Sequence, residues 1–467
     1  MKRNALWKIL SALMVASLVL AACAPAATPA PTQAPAATQP PAATKAPEPT
    51  KAPEPTAAPT EAAPIELRWR TRPDNKEEAA VYAGISDDVA AKLGYKLTYE
   101  PGGTESASYQ DQLITEITGG TAPDVFWIPG TDVARFANGG YILNLNDVAA
   151  GFDPTAYYPG PMFHLTYNPE NGKSGAGSGA VWGVPRDVST FALYLNLDLL
   201  NEAGADDPRE LAKNGQWTWE AFADVTAKVA QLGGGKFGYG ASNWWGPYGV
   251  WVNAAGGGFF NADRSGCAMN TPEAQTGLEF MQTLYSNEGW AVPYGDDAEA
   301  AFRAGNVAMF QNGRWATPGV RTVEFKYDAV SLPNGPAGTP GNWLFWGAYV
   351  VNKNTAHPKE AWALAQALTA ADVQAKVSAG GANIPSRVSK EALDAFLTFT
   401  PPDNAQAFLD GIADDSKPTA EGPLWAGDWP KVDQVYGAGV TAVVTGQRTV
   451  ADFIAKICDE AAPAFTK

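Results

Sequence analysis

Histidine and cysteine are nearly missing from this 467-residue chain, which has two histidines, His164 and His357, and three cysteines, Cys23, Cys267 and Cys458. So few ligands exclude a zinc ribbon or a His-rich metal centre, and neither a metal nor a cofactor is expected. A Ser-His or Cys-His catalytic pair would have to draw on one of those two histidines, and no GxSxG elbow is present. Cations are scarce as well: 33 Lys+Arg face 49 Asp+Glu, a net charge of −16, which excludes the basic footprint of a nucleic-acid binder. Charged residues make up 18% of the chain, while Gly (47), Pro (37) and Trp (16) are plentiful. At roughly 100–200 residues per domain, the length allows two or three domains.

The first 64 residues read as address and tether. Lys2 and Arg3 precede an apolar run from about Ile9 to Ala22, too short for an ordinary membrane span and typical of a secretory signal. The run ends in Leu20-Ala21-Ala22-Cys23, which resembles the bacterial lipobox. That resemblance implies a signal peptide over 1–22 and a diacylglyceryl group on Cys23, the mature N-terminus. Residues 24–64 contain only Ala, Pro, Thr, Gln, Lys and Glu, with Lys-Ala-Pro-Glu-Pro-Thr at 45–50 and again at 51–56. Without aromatic or large aliphatic side chains such a segment stays disordered, and its prolines favour an extended spacer. At about 3.1 Å per residue it would reach on the order of 100 Å. A glycosylated or wall-spanning stalk is the alternative.

The globular body begins near Ile65. Alternation predicts a strand over 65–70, a helix over 76–93 closed by Gly94, a strand over 95–99, a helix over 109–117 and a buried strand over 124–128. This βαβαβ rhythm argues for a parallel sheet with helices on its faces. Thr218 caps a helix to about Leu232, Thr271-Pro272 starts another, and strand-like runs recur at 307–311, 327–332 and 347–352. A body of about 400 residues exceeds what one sheet usually organises, so two lobes are expected.

Several motifs occur in a fixed order: Ala122-Pro123-Asp124-Val125-Phe126-Trp127, then 136–145, then Trp182-Gly183-Val184-Pro185-Arg186-Asp187, then 193–200, and finally Ala308-Met309-Phe310-Gln311-Asn312-Gly313-Arg314-Trp315. The series resembles the extracellular solute-binding proteins (family 1) of carbohydrate ABC importers, the group that includes maltose-binding protein. The resemblance covers nearly all of 65–467. It implies an α/β, two-lobed, periplasmic-binding-protein-like fold with a ligand cleft between the lobes and several hinge crossings. By motif position the first lobe holds 65–186 and 347–395, and the second holds 187–346 and 396–467. The implied partners are a carbohydrate, the permease subunits of an ABC importer, and the membrane through the lipid anchor only. A monomer is expected, with no nucleic acid and no catalysis.

Sugar capture suits the tryptophan supply. A pyranose has an apolar face that flat rings cover and a hydroxyl rim that carboxylates, amides and Arg bind in pairs. Ser242-Asn243-Trp244-Trp245-Gly246-Pro247-Tyr248 is the densest aromatic cluster, and its family counterpart contributes contacts. Trp315 matches a family position that stacks on sugar. Trp127 follows the third strand, at the carboxyl end where α/β sheets bind ligands. Trp346 lies at a predicted lobe crossing, and Trp425 and Trp429 flank Gly427-Asp428 in a segment whose counterpart reaches the cleft. Core packing is the plain alternative for each ring. Asp187 falls at the first crossing, where family members place a ligand-binding acid, and a salt bridge to Arg186 is its alternative. Asp74 and Asn75 follow Pro73 after the first strand, and either face the cleft or cap a helix. Arg72, Arg186 and Arg314 are the few cations that a phosphate ligand would need.

The chain departs from the maltose-binding pattern at Ile128-Pro129-Gly130-Thr131 and at Ser189, where that pattern carries cleft acids or bases. Maltodextrin specificity therefore does not carry over. A secreted carbohydrate-active enzyme, or the same fold binding a polyol phosphate, remain the alternatives. Cys267 and Cys458 both fall in the second lobe; a bridge is conceivable, and separate buried thiols are the expectation. Gly233 to Gly238 fits GxGxxG but follows a helix, and 261–272 begins like a calcium loop but ends in Pro272. Both read as turns.

Overall fold

The structure is a computed structural model, and it describes residues 64–465 apart from 104–105, 173, 176, 263, 411 and 413–428. Cys23 and Trp425 lie outside the described residues. From Ala63 onward the chain forms one compact unit.

Strand β1 (Glu66–Thr71) alternates exposed and buried residues, so Leu67, Trp69 and Thr71 face inward. The helix Lys76–Leu93 follows: Asn75 accepts a hydrogen bond from the Glu78 backbone N–H at the start, and Gly94 ends it at φ 68°. Tyr82, Ile85 and Val89 form its buried stripe. Strands β2 (Lys96–Pro101) and β3 (Val125–Pro129) pair parallel with β1 on either side.

The sheet is not parallel throughout, as the βαβ rhythm had suggested. Strand β9 (Phe345–Val351) runs antiparallel between β3 and β4 (Gly183–Ser189), and β10 (Ile384–Pro385) closes the edge, giving the order β10-β4-β9-β3-β1-β2. The rhythm covers only the first three strands. The reversed strand arrives after an excursion of about 155 residues from the end of β4, for which local pattern gives no direction.

A second sheet has the order β6-β7-β5-β8, from β5 (Phe191–Asn196), β6 (Phe237–Ala241), β7 (Val307–Gly313) and β8 (Tyr327–Val330). Only Thr190 separates β4 of the first sheet from β5 of the second. The chain returns between β8 and β9, and leaves again after β10, where the short helix Gln406–Leu409 packs on β5 and β8. The expected divisions after 186 and after 346 therefore fall inside β4 and β9, two strands of the first sheet. One core surrounds Leu67, Phe126, Ile128, Tyr349 and Leu364, and the other surrounds Phe222, Tyr239, Trp251, Leu278 and Ile457.

Cys267 and Cys458 form a disulfide across a sequence separation of 191, with Cα atoms 5.3 Å apart. The expectation of separate thiols is overturned: the loop leaving Phe259 is brought against the final helix, Val450–Phe465, at bridging distance. Among the described residues no helix is long and apolar enough to cross a membrane.

Candidate functional site

Loops at the carboxyl ends of β1, β3, β6 and β7 converge on one cavity of about 1080 Å³, closed by residues of β4, β9 and the helix Trp429–Val444. Large clefts at the carboxyl ends of α/β strands are the usual ligand sites of such sheets.

One wall is aromatic. Phe345, the first residue of β9, lies at its centre. Its ring centroid is 5.5 Å from Trp315, 5.5 Å from Trp244 and 5.4 Å from Trp245. Trp244 and Trp245 meet edge-on at 5.0 Å, and Trp429 adds a further perpendicular ring 5.9 Å from Trp245. Trp244, Trp245, Trp315 and Phe345 are half-buried, so their faces remain open to the cavity. Trp127 and Trp346 line it from the first sheet and are each 7% exposed.

Glycines set the depth of these rings. A Cβ at Gly313 would stand 2.2 Å from the Trp315 ring, and one at Gly130 would stand 2.4 Å from the Trp346 ring. Neither indole has room to lie where it does against any other residue, because real Cβ atoms do not approach so closely. Gly347 under Trp127 and Gly246 under Trp244 repeat the arrangement.

The polar wall is crowded with carboxyl groups. Arg186 and Asp187 form a buried ion pair at 2.6 Å, and Asp187 also lines the cavity. Burial disfavours the Arg186 charge, yet Asp187, Tyr82 and Glu78 beside it hold its pKa well above the ordinary value. Its guanidinium also sits 5.0 Å from the Trp127 ring. Asn75 Oδ1 caps the helix, while its Nδ2 is buried without a partner against Gly319, and the residue lines the cavity. Glu78 accepts from the Asp74 backbone N–H at 2.6 Å and from Asn383 Nδ2 at 3.2 Å, and burial pushes its pKa up to about 7.

Asp74, just after β1, hydrogen-bonds to Glu299 on the helix Ala298–Arg303, which packs on β6 and β7 of the other sheet. Two carboxyls in hydrogen-bond contact share one proton, and burial followed by mutual repulsion raises the pKa of Glu299. Burial raises that of Asp74. Asp132 and Asp433 line the cavity from the two sides. Burial raises the pKa of Asp132, and burial together with the Asp132 charge pushes Asp433 up to about 6.

Of the residues singled out in the sequence, Asp74, Asn75, Trp127, Asp187, Trp244, Trp245, Trp315, Trp346 and Trp429 are brought together around this cavity. Tyr248 is not. It is 1% exposed and packs on Phe259 at 5.5 Å, because the helix Trp245–Ala254 carries it inward one turn beyond Trp245. Arg314 is also absent from the lining: it is fully buried, its guanidinium 4.8 Å from Phe396 and 5.1 Å from Phe399. Phe345, Asp132, Glu299 and Asp433 were missed. The four-residue spacing from Trp429 places Asp433 on the same helix face. No local pattern marks Asp132 or Glu299.

Residues 85–398 match the family model described as bacterial extracellular solute-binding protein. The chain belongs to that family. Its relatives are distant. The solute-binding protein is 23% identical over 278 residues to the maltooligosaccharide ABC transporter solute-binding lipoprotein of Streptococcus pneumoniae, covering 55% of this chain and 58% of the relative. It spans about half the length of a Brucella abortus relative that carries a binding-protein name (54% of that relative, 47% of this chain, 23% identity over 232 residues). Among solved structures, an ABC substrate-binding protein of Listeria monocytogenes in complex with cycloalternan superposes with a TM-score of 0.75 at 20% identity, covering 87% of this chain and 100% of that one. UgpB of Mycobacterium tuberculosis in complex with glycerophosphocholine does so with a TM-score of 0.70 at 19% identity, covering 86% and 99%. These likenesses establish the two-lobed binding-protein fold of the solute-binding protein.

Proposed function

We propose that this chain captures a carbohydrate, a sugar or an oligosaccharide, in the aromatic cleft and delivers it to an ABC importer. The observation that carries this reading is the wall of Trp244, Trp245, Trp315, Phe345 and Trp429 opposite a bank of carboxyl and guanidinium groups in a single cavity of about 1080 Å³. Flat apolar faces beside paired polar groups suit a pyranose. In this reading the first lobe is the part built on β1–β4, β9 and β10, the second is built on β5–β8 with the two last helices, and Trp127, Asp187, Asp74, Asn75 and Trp346 contact the ligand from the first. The chain acts as a monomer outside the cytoplasm, held by lipid on Cys23, with the permease subunits as its protein partners. The lipoprotein relative and the extracellular family support that placement.

A phosphate ligand is disfavoured, because eight carboxyl side chains line the cavity against four guanidinium groups. Incubating the purified protein with an oligosaccharide panel tests the function. A rise in melting temperature with chemically unaltered ligand is expected. Turnover of any member would replace this reading with a carbohydrate-active enzyme, and no shift across the panel would remove carbohydrate as the class.

A further inference from the structure

The cleft carries more negative charge than a neutral sugar needs. Each of its four arginines stands near a carboxylate, although Nε and Nη1 of Arg186 are buried without a hydrogen-bond partner. Arg186 is held by Asp187 at 2.6 Å, Arg303 stands 3.5 Å from Glu77 and 3.7 Å from Glu299, and Asp74 lies close to Arg72. Arg135 makes its close bond to Asp111 at 2.7 Å and reaches Asp132 only at 3.5 Å. The other contacts of Asp132, from Gln110 and Thr131, are 3.4 Å long. Asp433 has no ion pair among the described residues, although it lines the cavity and feels the charge of Asp132. Two poorly compensated carboxylates thus face one cavity from opposite sides, beside the rings of Trp245 and Trp429.

A second set of unmet groups is independent of the first. The indole Nε1 atoms of Trp127 and Trp346, both on the cavity wall, are buried with no hydrogen-bond partner. Buried donors without partners are costly, and at a ligand site they mark where acceptors arrive. The cavity therefore asks for oxygen acceptors on its first-sheet side and for a cation on its carboxylate side. Aromatic faces next to carboxylates are the surroundings in which an ammonium group is best held.

Resting on the carbohydrate reading above, we propose that the solute is a saccharide bearing a protonated amino group, which sits between Asp132 and Asp433 against Trp245 and Trp429. Its hydroxyl and ring oxygens accept from the two indoles. N-acetylation of the amine removes the charge and with it the advantage.

Calorimetry with matched sets tests this. The sets are glucose, glucosamine and N-acetylglucosamine; the galactose equivalents; and cellobiose, the glucosamine dimer and N,N′-diacetylchitobiose. Choline serves as a cation that is not a sugar. In at least one set the amino member is expected to bind at least tenfold more tightly than both neutral members, and Asp433→Asn should close that gap to less than threefold. Neutral members binding as tightly as amino members in every set would overturn the inference and leave the carbohydrate reading standing. So would an Asp433→Asn variant that keeps the full preference. Choline binding without any sugar binding would overturn the carbohydrate reading, and the amino-sugar inference with it. No binding by any probe would overturn both.

Discussion

Trp315 rests on Gly313 with one face packed and the other open, which is the geometry of a stacking platform rather than of a core residue. Its neighbours Phe345 and Phe191 hold it edge-on at 5.5 and 6.0 Å, so the platform is rigid before any ligand arrives. Replacing Trp315 with Ala is therefore expected to weaken carbohydrate binding by about 2–4 kcal/mol, by analogy with other aromatic anchors. That is roughly 30- to 1,000-fold in affinity. The melting temperature of the ligand-free protein should change little, because a half-buried ring leaves space that water can fill. Calorimetry beside an apo melt separates the two effects; unchanged affinity would remove Trp315 from the site, and a collapsed melt would make it a packing residue. Trp315 was legible because Asn-Gly-Arg-Trp at 312–315 resembles a family position that stacks on sugar. Phe345 was not, since one phenylalanine before a strand reads as core. Its place among the rings of Trp244, Trp245 and Trp315 arises only when β9 is carried back between β3 and β4.

Elements with their own punctuation were read closely. The helix Lys76–Leu93 carries Asn75 at its start and Gly94 at its end, and Pro272–Ser286 carries Thr271 and Pro272, so pattern and boundary agreed. What local pattern does not carry is direction and partnership between distant segments: the antiparallel β9, the three passages between sheets, and the pairing of Cys267 with Cys458. That disulfide joins the loop after Phe259 to the helix Val450–Phe465, the last element of the chain. Closing a segment of 191 residues in the unfolded chain stabilises the fold by about 5 kcal/mol in the chain-entropy model. The Cys267→Ser, Cys458→Ser double variant is expected to melt several degrees lower. Its ligand affinity should stay within twofold of the parent, since neither cysteine lines the cavity. Thiol titration of the unfolded, unreduced parent, prepared without the lipidated N-terminus, should find no free thiol; two would exclude the bridge.

At the scale of the whole molecule the question is what brings the two sheets together and where the body is held. The tether reading predicts that Cys23→Ala leaves the protein unlipidated and releases it from the membrane fraction; a variant with its signal removed that stays membrane-bound sinks the lipobox. Closure has a visible contact of its own. Asp74, from the first sheet, shares a proton with Glu299, from an element of the second, and Arg303 reaches across to Glu77 at 3.5 Å. Arg72, Asp297 and Arg303 also face this pair: Arg72 and Arg303 lower the pKa values and Asp297 raises them. Separated in an open cleft, each carboxyl would titrate in the ordinary range of about 4. In contact their pKa values are raised, so closing takes up a proton. A group whose pKa is raised in the closed form favours that form at low pH and ceases to favour it as pH rises through the raised value. In the proposed reading ligand binding closes the cleft, so affinity is expected to fall between pH 5.5 and 8.5. Glu78 and Asp433, with pKa values near about 7 and about 6, titrate in the same cleft and contribute to any slope in the parent. Glu299→Gln isolates the pair: its amide donates to Asp74 without a proton to lose. That variant should hold the closed radius of gyration in solution scattering to higher pH and flatten the affinity profile. Parallel slopes for parent and variant would show that the shared proton does not govern closure.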